Sequence, residues 1–274
     1  KNDSIDQERV LSYRDKSTKY LYLLSEDISS FADYVSNNLI IDEGPGDGEI
    51  NFKKIHLNSY ELLSQFGFSE ASLTIAEKSV SDLMSKIDDN KPLTGLMSEI
   101  YKSSTNFSYK FSYMTGLVSY ILLSQFDWKT SAMSKSLLYA SLFNDVMLEE
   151  DELKFYKDNE LNELEKSKRL RISSHARLCY EKYFDCDAIP EEAKKIILQH
   201  HGSTSGDGLL EKIDERVSLL VLIYIYSERF SLKILSQGSR KVNAKKIVAE
   251  IDNELFHSKL PTCRDALMTT LNLK

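Results

Sequence analysis

Residues 107–144, FSYKFSYMTGLVSYILLSQFDWKTSAMSKSLLYASLFN, decide the fold class, because their apolar positions recur at helical spacing over 107–125 and again over 130–144. The same period returns at roughly 92–101, 148–166, 170–184, 190–201, 212–236, 241–256 and 260–272. Upstream, Leu62, Leu63 and Phe66, then Leu73, Ile75, Ala76, Val80, Leu83 and Ile87, predict two helices broken near Gly67. Local signals agree with these boundaries. Ser69 and Ser72 precede an apolar run, Pro190 with Glu191 and Glu192 suits a first turn, and Pro261 suits the start of the last helix. From about residue 53 onward the chain reads as a helical bundle.

The first residues read differently. Residues 1–18 are polar and charged, and Tyr20-Leu21-Tyr22-Leu23-Leu24 is a short strand-like run, followed by a helical stretch through Phe31 and Tyr34. A lone strand needs a sheet to join, so it is expected to close a small β-containing module whose earlier part lies ahead of Lys1. Residues 43–48, rich in Gly and Pro, read as a loop. The expected fold class is mainly α, a helical bundle preceded by a small α/β N-terminal region.

Composition narrows the functional classes. Hydrophobic residues at 42% and charged residues at 28%, with only 10 Gly and 4 Pro, fit packed helices rather than disorder or a β-sandwich. A net charge of -7 offers no basic field for a phosphate backbone, so DNA is not an expected partner. The longest apolar run, at 219–226, is far shorter than the roughly 20 residues that span a bilayer, so no membrane association is expected. Cys179, Cys186 and Cys263 form no CxxC or paired framework, and no signal-peptide pattern opens the chain, which fits a reducing, cytoplasmic setting.

Of 5 histidines, His175, His200 and His201 fall on two successive predicted helices. Neutral imidazole is the commonest protein metal ligand, and two helices of a bundle can aim such groups at one point with a carboxylate completing the set. Such an N/O set suits one divalent ion: Fe, Mn or Zn. Plainer readings stand beside this one. Adjacent histidines suit a helix C-terminus through the helix dipole, His175 suits a hydrogen-bonded surface position, and Asn144 and Asp145 suit a helix end and the next helix's cap.

The order YMTGLVSYILLSQFDW, LLYASLFNDVML, SSHARL, IILQHHGSTSGDGLL resembles the HD-GYP family of bacterial cyclic-di-GMP phosphodiesterases over about residues 105–235. The resemblance implies a bundle of the HD-domain type at 91–274 and a regulatory-type region at 1–90 that truncation could have shortened. The stretch SYRDKSTKYLYLLSEDISSFADYV is similar to N-terminal regions of deltaproteobacterial-type HD-GYP proteins. The family pattern maps partially. Its first His falls at Met114, the His of its His-Asp pair at Asn144, its following Lys at Leu148 and its last metal-binding Asp near Leu222. Lys110 replaces an acidic position of trinuclear members, and loop 202–210 keeps two glycines but loses the Glu, Asp, Tyr and Pro of the GYP motif.

What survives implies the second of the family's two metal sites: Asp145, His175, His200 and His201. A two-metal site lowers the pKa of a bridging water and clamps phosphate oxygens, and both effects weaken with one cation gone. The resemblance therefore implies a degenerate signalling protein, without normal cyclic-di-GMP hydrolysis, that acts by binding. Its expected partners are cyclic-di-GMP or another nucleotide, or a protein such as a diguanylate cyclase domain. Two alternatives are an active metal-dependent phosphodiesterase with an altered site, and a metal-free interaction scaffold.

Overall fold

The computed structural model describes residues 24, 27, 30, 70–88, 93–102, 107–148, 152–153, 164–209, 212–237 and 243–273. The expected strand at 20–24 and α/β region, the loop at 43–48 and most of the expected helix at 148–166 lie outside these residues. Among the described residues there is no strand. The helices are α1 (Glu70–Asp88), α2 (Leu93–Lys102), α3 (Phe107–Leu123), α4 (Ser131–Phe143), α5 (Lys166–Tyr183), α6 (Glu191–Gln199), α7 (Leu219–Ser236), α8 (Ala244–Glu254) and α9 (Leu260–Thr270).

Two of these helices are apolar nearly all round, and they form the centre, as that pattern requires. In α3 every residue from Ser108 to Tyr120 is buried except Lys110, and in α7 the run from Leu220 to Glu228 is buried without a break. These two pack on each other more extensively than any other pair, with α4 against α3, α6 wedged between α4 and α5, and α8 and α9 closing the far side of α7. Met114, Leu117, Val118, Val221, Leu222 and Ile225 are wholly shut from solvent in one continuous core. Helix α1 lies within the stretch expected as an N-terminal region, and it sends Ala76, Val80 and Leu83 into that same core.

Three of the buried serines fit because their hydroxyls turn back onto their own helices. Ser119 donates to the Gly116 carbonyl at 3.0 Å, Ser141 to Leu138 at 2.8 Å and Ser227 to Ile223 at 2.7 Å, so each polar atom enters the core already satisfied. Capping agrees with the sequence. Thr130 accepts from the Met133 amide at 3.2 Å ahead of α4, Glu191 and Glu192 occupy the first turn of α6, and Pro261 occupies the first turn of α9. The helix expected over 212–236 starts only at Leu219, because Ser218 is its cap and accepts from the Val221 amide at 3.4 Å. No helix is long and apolar enough to cross a membrane among the described residues.

Helices α3 and α4 touch at Gly116, where an added Cβ would lie 2.6 Å from Ser141 Oγ and 3.2 Å from Leu138 Cδ2. Gly116→Val is expected to lower unfolding stability by about 1–3 kcal/mol through overpacking, read from urea denaturation midpoints.

Candidate metal centre

Helix α5 brings three side chains of one face against the end of α4. His175 Nε2 lies 3.1 Å from Asp145 Oδ1, Cys179 Sγ donates to the Asn144 carbonyl at 3.1 Å, and Tyr183 Oη donates to the Phe143 carbonyl at 3.3 Å. Residues four apart on a helix share a face, so this spacing turns α5 into a splint along the turn that carries Asp145. Asn144 is the C-cap of α4, and the Leu148 amide donates to the Asp145 carbonyl at 2.9 Å to close the turn. Asp145 thus lies in a turn, and its carboxylate faces histidine.

The other two histidines come from the end of α6. His200 is its C-cap, and Gly202, at φ 75, lets the backbone reverse immediately afterwards with its amide 2.7 Å from the Gln199 carbonyl. The following loop is tied to α5. The Gly208 amide donates to the Ser173 carbonyl at 2.8 Å, the Arg177 amide to Gly206 at 3.3 Å, and Arg177 Nε to Asp207 at 2.8 Å. A Cβ on Gly206 would lie 2.5 Å from Leu198 Cδ1 and 3.1 Å from the Arg177 backbone, at a φ of 76 that side chains rarely adopt. The loop is a fitted connector that fixes where α6 ends relative to α5.

Both elements aim imidazole at one point. His175 Nε2 lies 3.1 Å from His200 Nε2 and 3.1 Å from His201 Nε2, and His200 Nε2 lies 4.0 Å from Asp145 Oδ1. The second ring nitrogens of two of them are engaged elsewhere: His175 Nδ1 donates to the Ile172 carbonyl at 2.5 Å and His200 Nδ1 to the Ile197 carbonyl at 2.7 Å. A carbonyl only accepts, so Nδ1 carries the proton and Nε2 presents a lone pair in each neutral ring. This is the usual outer support of a metal-binding histidine.

The spacing fits an ion. Two nitrogens each about 2.1 Å from a shared metal stand about 3.0 Å apart at a right angle and about 3.4 Å apart at a tetrahedral angle. The observed 3.1 Å separations fall in that interval. Asp145, His175, His200 and His201 are all buried, and the three histidines form a cluster able to hold a metal. His200 does stand at the C-terminus of α6, as the plainer reading of the His pair has it, but buried rather than solvated. A helix C-terminus favours protonated histidine, yet desolvation dominates here and pushes His200 down to about 4, with the neighbouring His175 acting in the same direction. His201 is held well below its ordinary value, first by burial and then by His200 and His175.

The remaining positions are filled by ordinary packing. Met114 and Leu222 are wholly buried in the main core, and Leu148 sits in a small cluster with Leu153 and Ile172. Lys110 turns away and donates to the Tyr101 carbonyl at 3.3 Å. Asn144 donates through Nδ2 to Glu228 Oε1 at 3.1 Å, both side chains being buried. Sequence reasoning missed Glu228. The family pattern puts its last Asp near Leu222, and Glu228 lies further along the same helix, where the charged pair Glu228-Arg229 interrupts the apolar run. Tyr224, one turn before Glu228, sets its ring 6.5 Å from that of His200. No family model matches the chain, and neither a curated protein nor a solved structure matches it.

The pH dependence has a definite sign. Between about 6.5 and about 4 the unfolded chain binds a proton at His200 that the folded, metal-free chain refuses, and His201 acts the same way. Stability present above pH 6.5 is therefore lost as pH falls toward 4. The thermal midpoint of chelator-treated protein is expected to drop across that window, with a smaller drop in His200→Gln.

Proposed function

We propose that this chain is a degenerate HD-GYP-like signalling protein that keeps one divalent metal on Asp145, His175, His200 and His201. It acts by binding a nucleotide or a protein partner rather than by normal cyclic-di-GMP hydrolysis. The observation that carries the reading is the convergence of three buried imidazoles, with the Asp145 carboxylate against His175 and two of the rings anchored through Nδ1. Nitrogen and oxygen donors of this kind suit Fe, Mn or Zn. A divalent ion held there would supply a Lewis-acid point for an anionic group.

The noncatalytic part of the proposal rests on what surrounds that set. Met114 and Leu222 offer no ligand where the family places two, and Asn144 spends its amide on Glu228. A second cation would have to displace packed apolar side chains. Burial of all four remaining ligands also leaves little room for solvent, which a hydrolytic site must admit as nucleophile.

Purified protein is expected to carry about one equivalent of metal, and the His200→Ala/His201→Ala double variant to carry almost none, by elemental analysis. A wild type as metal-free as the variant would favour a metal-free scaffold. Incubation with cyclic-di-GMP and Mn or Fe is expected to give no product by chromatography; turnover that disappears in Asp145→Ala would overturn the noncatalytic reading.

A further inference from the structure

Three carboxylates are buried among the described residues: Asp145, Glu152 and Glu228. Glu152 meets the Arg171 guanidinium, and Asp145 faces His175. Glu228, on α7, accepts from a neutral group, Asn144 Nδ2 at 3.1 Å. A carboxylate is expensive to take out of water, and an amide offsets less of that cost than a cation does. Two apolar side chains of the same shape would hold the fold about as well. What this pairing supplies beyond them is direction.

Glu228 holds the residue next to a proposed ligand. Asn144 is fastened on three sides. Its amide donates to the Ala140 carbonyl at 2.9 Å within α4, its carbonyl accepts from Cys179 Sγ of α5 at 3.1 Å, and its side chain donates to Glu228 of α7. That carbonyl belongs to the planar peptide unit that leads into Asp145, so holding Asn144 restricts how Asp145 can be presented. Asp145 Oδ1 in turn lies 3.1 Å from His175 Nε2. Helix α4 packs mainly on α3, α6 and α1, and the Glu228 bond adds a direct tie between its end and the central helix α7.

We propose that Glu228 is a positioning residue of the metal centre: by holding the Asn144 amide it aims the Asp145 carboxylate at the histidine cluster. Ligand atoms must keep within about 0.2 Å of their coordination distances, so a turn left to swivel lowers metal affinity while the fold survives. This role rests on the metal centre proposed above, and it names a residue outside the ligand set that keeps the centre in shape.

The test is titration of cobalt(II) into chelator-treated protein, with affinity read by competition against a chelating dye and coordination read from the visible ligand-field bands. Wild type is expected to take up one equivalent. Glu228→Met, which keeps the volume but cannot accept, is expected to bind cobalt at least about tenfold more weakly and with an altered spectrum. Glu228→Gln, whose side-chain carbonyl can still accept from Asn144, should restore the wild-type spectrum and most of the affinity. Asn144→Ala removes the same bond from the other side and serves if Glu228→Met does not fold. Combined with Glu228→Met, it should lower affinity no further than the more harmful single change. Wild type that takes up no cobalt would overturn the metal centre and this role with it. Affinity and spectrum that survive loss of the bond, a Gln variant as weak as the Met variant, or losses that multiply in the double variant would overturn the role of Glu228 alone.

Discussion

Two neutral imidazoles whose Nε2 lone pairs face each other at 3.1 Å repel, and the repulsion is strongest where water is absent to screen it. In this chain His175 and His200 are fixed in that relation, because each has committed its Nδ1 proton to a backbone carbonyl of its own helix. His201 joins them at the same distance and Asp145 adds negative charge on the same side. Only a positive charge among these atoms relieves the arrangement, and either a proton or a cation supplies it. Burial opposes a proton at His200 and at His201, and the proposed cation is the other way to supply that charge. Much of the surrounding architecture holds these groups in place: the face of α5 carrying His175, Cys179 and Tyr183, the reversal at Gly202, and the loop fastened to Ser173 and Arg177.

Next to this polar point the bundle is apolar, and the contrast bears on activity. A two-metal hydrolase needs a second ligand set facing the first. Met114 on α3 and Leu222 on α7, where the proposed family pattern has two further ligands, are wholly buried in the apolar core. Asn144, next to Asp145 in the chain, donates one of its amide hydrogens to Glu228. The proposed loss of hydrolysis is therefore a matter of replaced volume as well as missing ligands. Restoring one ligand at Leu222 would leave Met114 and Asn144 still in place.

The helical class was legible because the apolar positions of α3, α4 and α7 recur at helical spacing. The histidine cluster was legible because histidine is scarce here and three of five fall close together. Orientation was not. Spacing places Asn144 and Asp145 at a helix end, as observed, but only the position of α5 against that turn shows that the Asp145 carboxylate meets His175. The 200–201 pair read equally well as a solvated C-terminus, since a sequence gives the dipole and not the depth of burial. Glu228 stayed hidden for a related reason: its partner Asn144 belongs to a distant part of the chain, and only tertiary contact joins them.

The N-terminal boundary of the bundle shows the same limit from the other side. The period of Ala76, Val80 and Leu83 identified a helix correctly, yet periodicity carries no information about which core a helix joins. The structure sets these three side chains in one core with α3 and α4, and α4 leads directly into the Asp145 turn. Truncating α1 would thus remove apolar contacts behind the element that holds Asp145. Its effect on the metal centre would travel through the packing of α4, which is close enough at Gly116 for a single methyl group to be felt.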